Sequence, residues 1–160
     1  MASSGKNLST YTQDNISDIS SRKFGIVVSE WNNAVTDSLF EGALQTLLTH
    51  GASRENIEFY RVPGSFELSL GAQRMAQKPS IDAVICLGCV IQGETRHFEF
   101  ICNAVATGLT EVALKFDKPV IFGVLTTDTY QQALDRAGGK YGNKGDEAAI
   151  TAIKMLHHGQ

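Results

Sequence analysis

From Phe24 onward, short apolar runs alternate with longer stretches in which apolar residues recur every three or four positions. The runs are 24–29, 57–62, 83–87 and 120–125; the stretches are 33–49, 65–76, 97–116, 130–137 and 146–156. Nearly continuous apolar character in the runs predicts parallel strands covered on both faces. In 97–116, Phe98, Ile101, Cys102, Val105, Leu109, Val112, Ala113 and Phe116 fall on one helical stripe suited to packing on a sheet. Val35, Leu39, Ala43 and Leu47 do the same in 33–49. Strand–helix alternation of this kind predicts an α/β fold, a three-layer αβα sandwich around a four-stranded parallel sheet with right-handed crossovers. Open parallel sheets bind ligands outside the carboxyl ends of their strands. Residues 29–33, 63–67, 88–97 and 126–128 are therefore expected to be neighbours.

Residues 1–23 break the pattern. They are rich in Ser, Asn, Asp and Thr, and Leu8, Tyr11, Ile16 and Ile19 are too sparse to build a core alone. This segment reads as an N-terminal arm, flexible or pairing with a neighbouring subunit, ahead of one domain over 24–160. It lacks an apolar h-region and carries Asp14 and Asp18, which argues against a secretory signal and a transit peptide. The sequons at Asn7 and Asn15 then read as chance matches, since glycosylation requires secretion.

Composition narrows the function classes. A length of 160 residues suits one domain. Charged residues make up 19%, below the usual quarter, which points to surface buried between subunits. A net charge of -3 has the wrong sign for a general nucleic-acid binder. No run approaches the roughly 20 apolar residues of a membrane span. Three cysteines are too few for a disulfide scaffold and suit the reducing cytoplasm.

The predicted ligand edge carries the candidate chemistry. Residues 88–95, Gly-Cys-Val-Ile-Gln-Gly-Glu-Thr, have the glycine spacing of a phosphate-cradling turn, but Glu94 stands where the lysine would be. That argues against a nucleoside triphosphate, although a helix N-terminus favours an anion without the lysine. The octet alone fits a plain strand-to-helix turn better than a ligand site. His97 opens the next helix and is the one histidine on this edge, placed to move a proton near neutrality. Pro63-Gly64-Ser65-Phe66-Glu67 reads as helix-start grammar with Ser65 as N-cap, or as a segment whose Glu67 accepts hydrogen bonds from a hydroxylated ligand. Trp31, the single tryptophan, can stack on a planar ring or seal the core margin. Residues 136–145 combine Arg136, Lys140 and Lys144 with four glycines. Arg136 can hold a phosphate bidentately, or the segment can be a solvated connector. Cys86 and Cys89 form C-x-x-C across a strand end, where positions three apart face opposite ways, so both read as core thiols.

Taken together, residues 62–67, 88–99 and 136–145, with Trp31-Asn32 and Pro119-Val120-Ile121-Phe122-Gly123, resemble the lumazine synthase family. The likeness covers nearly the whole chain from Phe24, and three motifs in order at compatible spacing are highly specific. The resemblance implies a flavodoxin-like fold and the penultimate step of riboflavin biosynthesis. In that step 5-amino-6-(D-ribitylamino)uracil and 3,4-dihydroxy-2-butanone 4-phosphate condense to 6,7-dimethyl-8-ribityllumazine, with no metal or organic cofactor. It implies Trp31 as the ring-stacking aromatic and Ser65, Phe66 and Glu67 as the ribityl segment. Cys89, Val90 and Ile91 would meet the pyrimidine edge, Glu94, Thr95 and Arg136 the phosphate, and His97 would donate the proton. Phe122 and Lys144 would complete a neighbouring subunit's pocket. It also implies homopentamers and, from the short Gly142-Asn143-Lys144-Gly145 connection, an icosahedral shell of twelve, with riboflavin synthase as a further partner. Two other functions fit parts of the sequence: a non-catalytic riboflavin- or lumazine-binding or storage module, and a C-x-x-C oxidoreductase.

Overall fold

A computed structural model describes residues 18–157 of the chain. Its centre is a four-stranded sheet in the order β2-β1-β3-β4, with every neighbouring pair parallel. The strands are β1 (Phe24–Ser29), β2 (Ile57–Val62), β3 (Ala83–Ile91) and β4 (Val120–Thr127). The principal helices are α1 (Asn33–Thr49), α2 (Leu68–Ala76), α3 (His97–Phe116), α4 (Tyr130–Asp135) and α5 (Lys144–His157). Apolar residues of α1 and α5 form one core with Ile26, Val28, Ile85, Leu87 and Leu125. Those of α2 and α3 form a second with Val27, Val84, Cys86 and Val124. Adjacent residues of one strand thus serve opposite cores, as period-two alternation requires, and the three-layer sandwich predicted by the periodicity is the observed architecture.

Burial follows position in the sheet. All six residues of the inner strand β1 are buried, whereas Glu58, Phe59 and Arg61 of the edge strand β2 are exposed. The expectation of coverage on both faces therefore holds for the inner strands and fails for the edges: Phe122 of β4 is exposed, and the apolar Phe59 of β2 rests against Phe40 of α1 with ring centroids 4.8 Å apart. Helix α1 stops in a Schellman motif at Gly51 (φ 98°): the N–H of Gly51 donates to Leu48 O and that of Ala52 to Leu47 O, each at 3.0 Å.

Several boundaries differ from the periodicity, including α5, which spans Lys144–His157 in place of 146–156. β3 runs to Ile91 and β4 to Thr127, because the ladder continues from Gly88↔Val124 to Ile91↔Thr127. Gly88 is therefore a strand residue, and the turn is confined to 92–96. The stretch 65–76 splits into a 3-10 turn, Ser65–Glu67, and α2. α4 ends at Asp135, and the connector at 136–145 holds a two-stranded antiparallel hairpin, β5 (Ala137–Gly139) with β6 (Gly142–Asn143). Of the arm expected over 1–23, residues 1–17 lie outside the described residues, as do both sequons. Ile19 is fully buried in the α1–α5 core, the Lys23 N–H donates to Asp82 Oδ2 at 2.7 Å, and Asn56 Nδ2 donates to Ser20 O at 3.0 Å.

α5 lies directly on α1, and Gly145 permits the approach: a Cβ there would overlap the Leu39 carbonyl oxygen. Because that obstacle is backbone, Gly145→Ala is expected to cost about 1–3 kcal/mol by overpacking, read as a lower urea midpoint at unchanged m-value.

Candidate functional site

Three strand ends are bound to one another at the carboxyl edge of the sheet. Past β1, the N–H of Glu30 donates to Val62 O at 2.8 Å and that of Trp31 to Pro63 O at 3.1 Å. Asn32 adopts the left-handed conformation (φ 59°) that starts α1, and its Nδ2 donates to Cys89 O at 3.1 Å. Asparagine tolerates that conformation better than most residues, so one side chain both turns the chain and pins the end of β3. Sequence reasoning gave Asn32 no role; its place in the Trp31-Asn32 pair ahead of a helix was the available signal.

These loops enclose a cleft of about 730 Å³ lined by Trp31, Asn32, 64–67, 89–91, His97 and Ile101, a size usual for small-molecule sites. Trp31 is 72% exposed, so it does not seal the core margin; its ring and that of Phe66 (56% exposed) stand open to a planar ligand. Ser65 sits buried behind them over Gly88, where a Cβ would lie 2.7 Å from its Oγ. That close approach is what Gly88 serves, in place of the turn read from the sequence. Ser65 does not cap a helix: its hydroxyl and that of Ser29 have no hydrogen-bond partner among the described residues. Glu67 Oε2 accepts from the Gly64 N–H at 3.0 Å, so helix-start grammar occupies one carboxylate oxygen.

The turn 92–96 leads from β3 into α3. The Gln92 N–H donates to Thr127 O at 2.8 Å, and its side-chain amide donates to Gly93 O at 2.6 Å, holding the turn closed. Glu94, Thr95 and His97 are exposed around it, and Arg96 pairs with Glu99 at 2.9 Å. Nothing lies within 4 Å of where a Gly93 Cβ would stand. The turn thus opens outward at the positive end of the 20-residue α3, with the His97 ring on the shared rim of turn and cleft.

Phe122, Arg136 and Lys144 do not line this cleft. Phe122 pairs with Cys86, five residues short of the strand end, and is 37% exposed on the sheet edge. Arg136 and Lys144 converge instead on Glu147. Arg136 Nη2 lies 2.9 Å from Oε1, Lys144 Nζ lies 3.0 Å from Oε2, and Arg136 Nη1 donates to Tyr141 O at 2.7 Å. Burial opposes the Glu147 charge, but the hydrogen bonds and positive charges of Lys144 and Arg136 outweigh it and hold the carboxyl below its ordinary range. The segment for which a solvated connector was one of two readings is therefore a hydrogen-bonded hairpin. Glu147 was missed because a glutamate in the first turn of a helix is ordinary dipole chemistry.

Cys86 belongs to the α2–α3 core and Cys89 to the α1–α5 core, so the two thiols lie on opposite faces of the sheet. Burial pushes the Cys86 thiol up strongly and that of Cys89 to about 11, the reverse of a reactive thiolate. The C-x-x-C oxidoreductase reading fails on both counts. Cys102, expected within the buried stripe of α3, is only half-buried.

The sequence profile of the 6,7-dimethyl-8-ribityllumazine synthase family matches residues 21–160. The chain is similar to the 6,7-dimethyl-8-ribityllumazine synthase of Cytophaga hutchinsonii, 68% identical over 156 residues and covering 98% of each chain. It is 56% identical over 157 residues to that of Parabacteroides distasonis, again covering 98% of each chain. To that of Bacteroides fragilis it is 57% identical over 134 residues, 84% of this chain and 94% of the relative.

Because the Glu147 carboxyl is depressed when folded, its stabilisation is fully present above the ordinary value of 4.5 and is lost as pH falls through the lower folded value. Glu147→Gln is therefore expected to unfold more easily than the parent protein at pH 7, with the gap narrowing below 4.5. Urea midpoints followed by circular dichroism across pH 3–7 check this; a gap independent of pH would contradict it.

Proposed function

This chain belongs to the 6,7-dimethyl-8-ribityllumazine synthase family, and from that membership we propose how its residues share the reaction. The enzyme condenses 5-amino-6-(D-ribitylamino)uracil with 3,4-dihydroxy-2-butanone 4-phosphate to 6,7-dimethyl-8-ribityllumazine, releasing phosphate and water, in riboflavin biosynthesis. The observation that carries the residue assignment is the convergence of Trp31, Ser65 to Glu67, Cys89 to Ile91 and His97 on one cleft. In this reading the pyrimidine stacks on Trp31, with its polar edge along the main chain of Cys89, Val90 and Ile91. The ribityl chain lies by Ser65, Phe66 and Glu67, where the second carboxylate oxygen of Glu67 can accept its hydroxyls. The phosphate rests on the N–H groups of Glu94 and Thr95 at the start of α3, with the exposed Glu94 side chain turned to solvent.

The chemistry follows from that placement. The pyrimidine amine attacks the ketone and a water leaves to give an imine, phosphate is eliminated, and ring closure expels a second water. Each step moves a proton, and His97, between turn and cleft, relays it. Holding two substrates in register supplies much of the acceleration. Arg136 is the phosphate cation, while Phe122 and Lys144 line the pocket. Because these three stand apart from the cleft of their own chain, we assign them to the pocket of an adjacent subunit in a homopentamer. The short Gly142–Gly145 connection supports twelve pentamers in an icosahedral shell, with the part of the 1–23 segment that precedes the anchored Ile19 as an arm to a neighbour and riboflavin synthase as an associated partner. Three unpaired thiols support a cytoplasmic enzyme, and no helix among the described residues is long and apolar enough to cross a membrane.

Steady-state kinetics with each substrate varied in turn test the assignment. Arg136→Ala is expected to raise KM for the phosphate substrate roughly tenfold or more, as when a charge-assisted hydrogen bond is lost, and to leave that for the pyrimidine unchanged. His97→Ala is expected to lower kcat more than it raises either KM; unchanged kcat would remove His97 from the mechanism. Sedimentation velocity is expected to show a single shell-sized species, and pentamers alone would overturn the shell.

A further inference from the structure

Glu147 has no part in the assignment above, yet it is the one buried charged side chain among the described residues. We propose that Glu147 is a positioning residue that presents Arg136, together with Lys144, to the phosphate-bearing substrate. The proposal rests on the assignment of Arg136 to that phosphate. Both carboxylate oxygens are used, one on each cation, at 2.9 and 3.0 Å. The main chains of the two cations are joined as well, since the Lys144 N–H donates to Arg136 O at 2.8 Å. On the guanidinium, one terminal nitrogen is fixed by Tyr141 O and the other by Glu147. A guanidinium has five N–H donors in a rigid fork, so its remaining donors are held in one orientation.

The charge count separates this arrangement from a plain stabilising ion pair. One carboxylate balances one cation; a second leaves the trio with a net positive charge. The Arg136 and Lys144 side chains remain 20% and 32% exposed while that of Glu147 is 11% exposed. The anion is thus on the inside and the surplus positive charge on the outside, the polarity an incoming phosphate requires. Long cationic side chains lose rotamer freedom when a ligand fixes them, and an internal carboxylate that has already immobilised both removes that cost from binding.

Steady-state kinetics of Glu147→Gln in the full chain, with each substrate varied in turn, test the proposal. Glutamine keeps one acceptor and loses the charge that holds two cations. The expected result is a rise of roughly tenfold in KM for the phosphate substrate, the loss of about one charge-assisted hydrogen bond, with KM for the pyrimidine unchanged. A fall in the phosphate-substrate KM, expected if Glu147 merely competes with phosphate for the cations, would overturn it. So would no change, or an equal rise for both substrates, which marks general loss of structure. Glu147→Asp keeps the charge with a shorter reach and covers the case in which the glutamine variant does not fold. A smaller rise confined to the same substrate supports the proposal, and no rise overturns it. Arg136→Ala in parallel separates the two readings. If it leaves the phosphate-substrate KM unchanged, the assignment of Arg136 has failed; if it raises that KM and Glu147→Gln does not, only the role of Glu147 has failed.

Discussion

The parallel pairing of β3 with β1 on one side and β4 on the other is the constraint on which the rest of this molecule depends. Parallel strands deliver their carboxyl ends to the same edge, so each strand-to-helix loop opens where the others do. The register Val28↔Leu87 and Cys89↔Leu125 sets the heights of those loops. Asn32 then reaches the Cys89 carbonyl and the Trp31 N–H reaches Pro63. A shift of one residue in β3 would turn Gly88 away and set a side chain against Ser65 and Leu68.

The same economy of space governs the helical layers. α5 can lie on α1 only because Gly145 meets Leu39 with no side chain between them, and Gly145 is held by its N–H donating to Asn143 Oδ1 at 2.8 Å. Asn143 in turn donates from Nδ2 to Ser38 O at 2.9 Å, tying the hairpin to α1. The docking that buries α5 therefore also sets Glu147 in the interior, one helical turn beyond Lys144. Packing and electrostatics are here one event, since a carboxylate drawn inside needs cations, and Arg136 and Lys144 are the cations within reach.

Much of this was legible in advance. The order of elements, the α/β class and the identity of the ligand edge follow from periodicities of two and 3.6, because burial on a sheet face imposes them directly on the sequence. Strand ends were less legible. Nothing local distinguishes Gly88 as a strand residue in close contact from Gly88 as a turn residue; the distinction lies in Ser65, more than twenty positions away. The hairpin at 137–143 was hidden for a similar reason, since glycines that permit a solvated connector also permit a tight one.

The sequence by itself determined the fold class, the motifs that mark the family, and a set of candidate residues for the site. Each of these is written in local patterns of polarity and residue type. Only the tertiary structure decided how that set divides: one group around the cleft with Trp31 and His97, another gathered on Glu147 or standing on the sheet edge at Phe122. It also decided that Cys86 and Cys89 serve separate cores. The physical reason is that division depends on the direction in which each side chain leaves a packed backbone, and direction is settled by contacts between residues far apart in the chain.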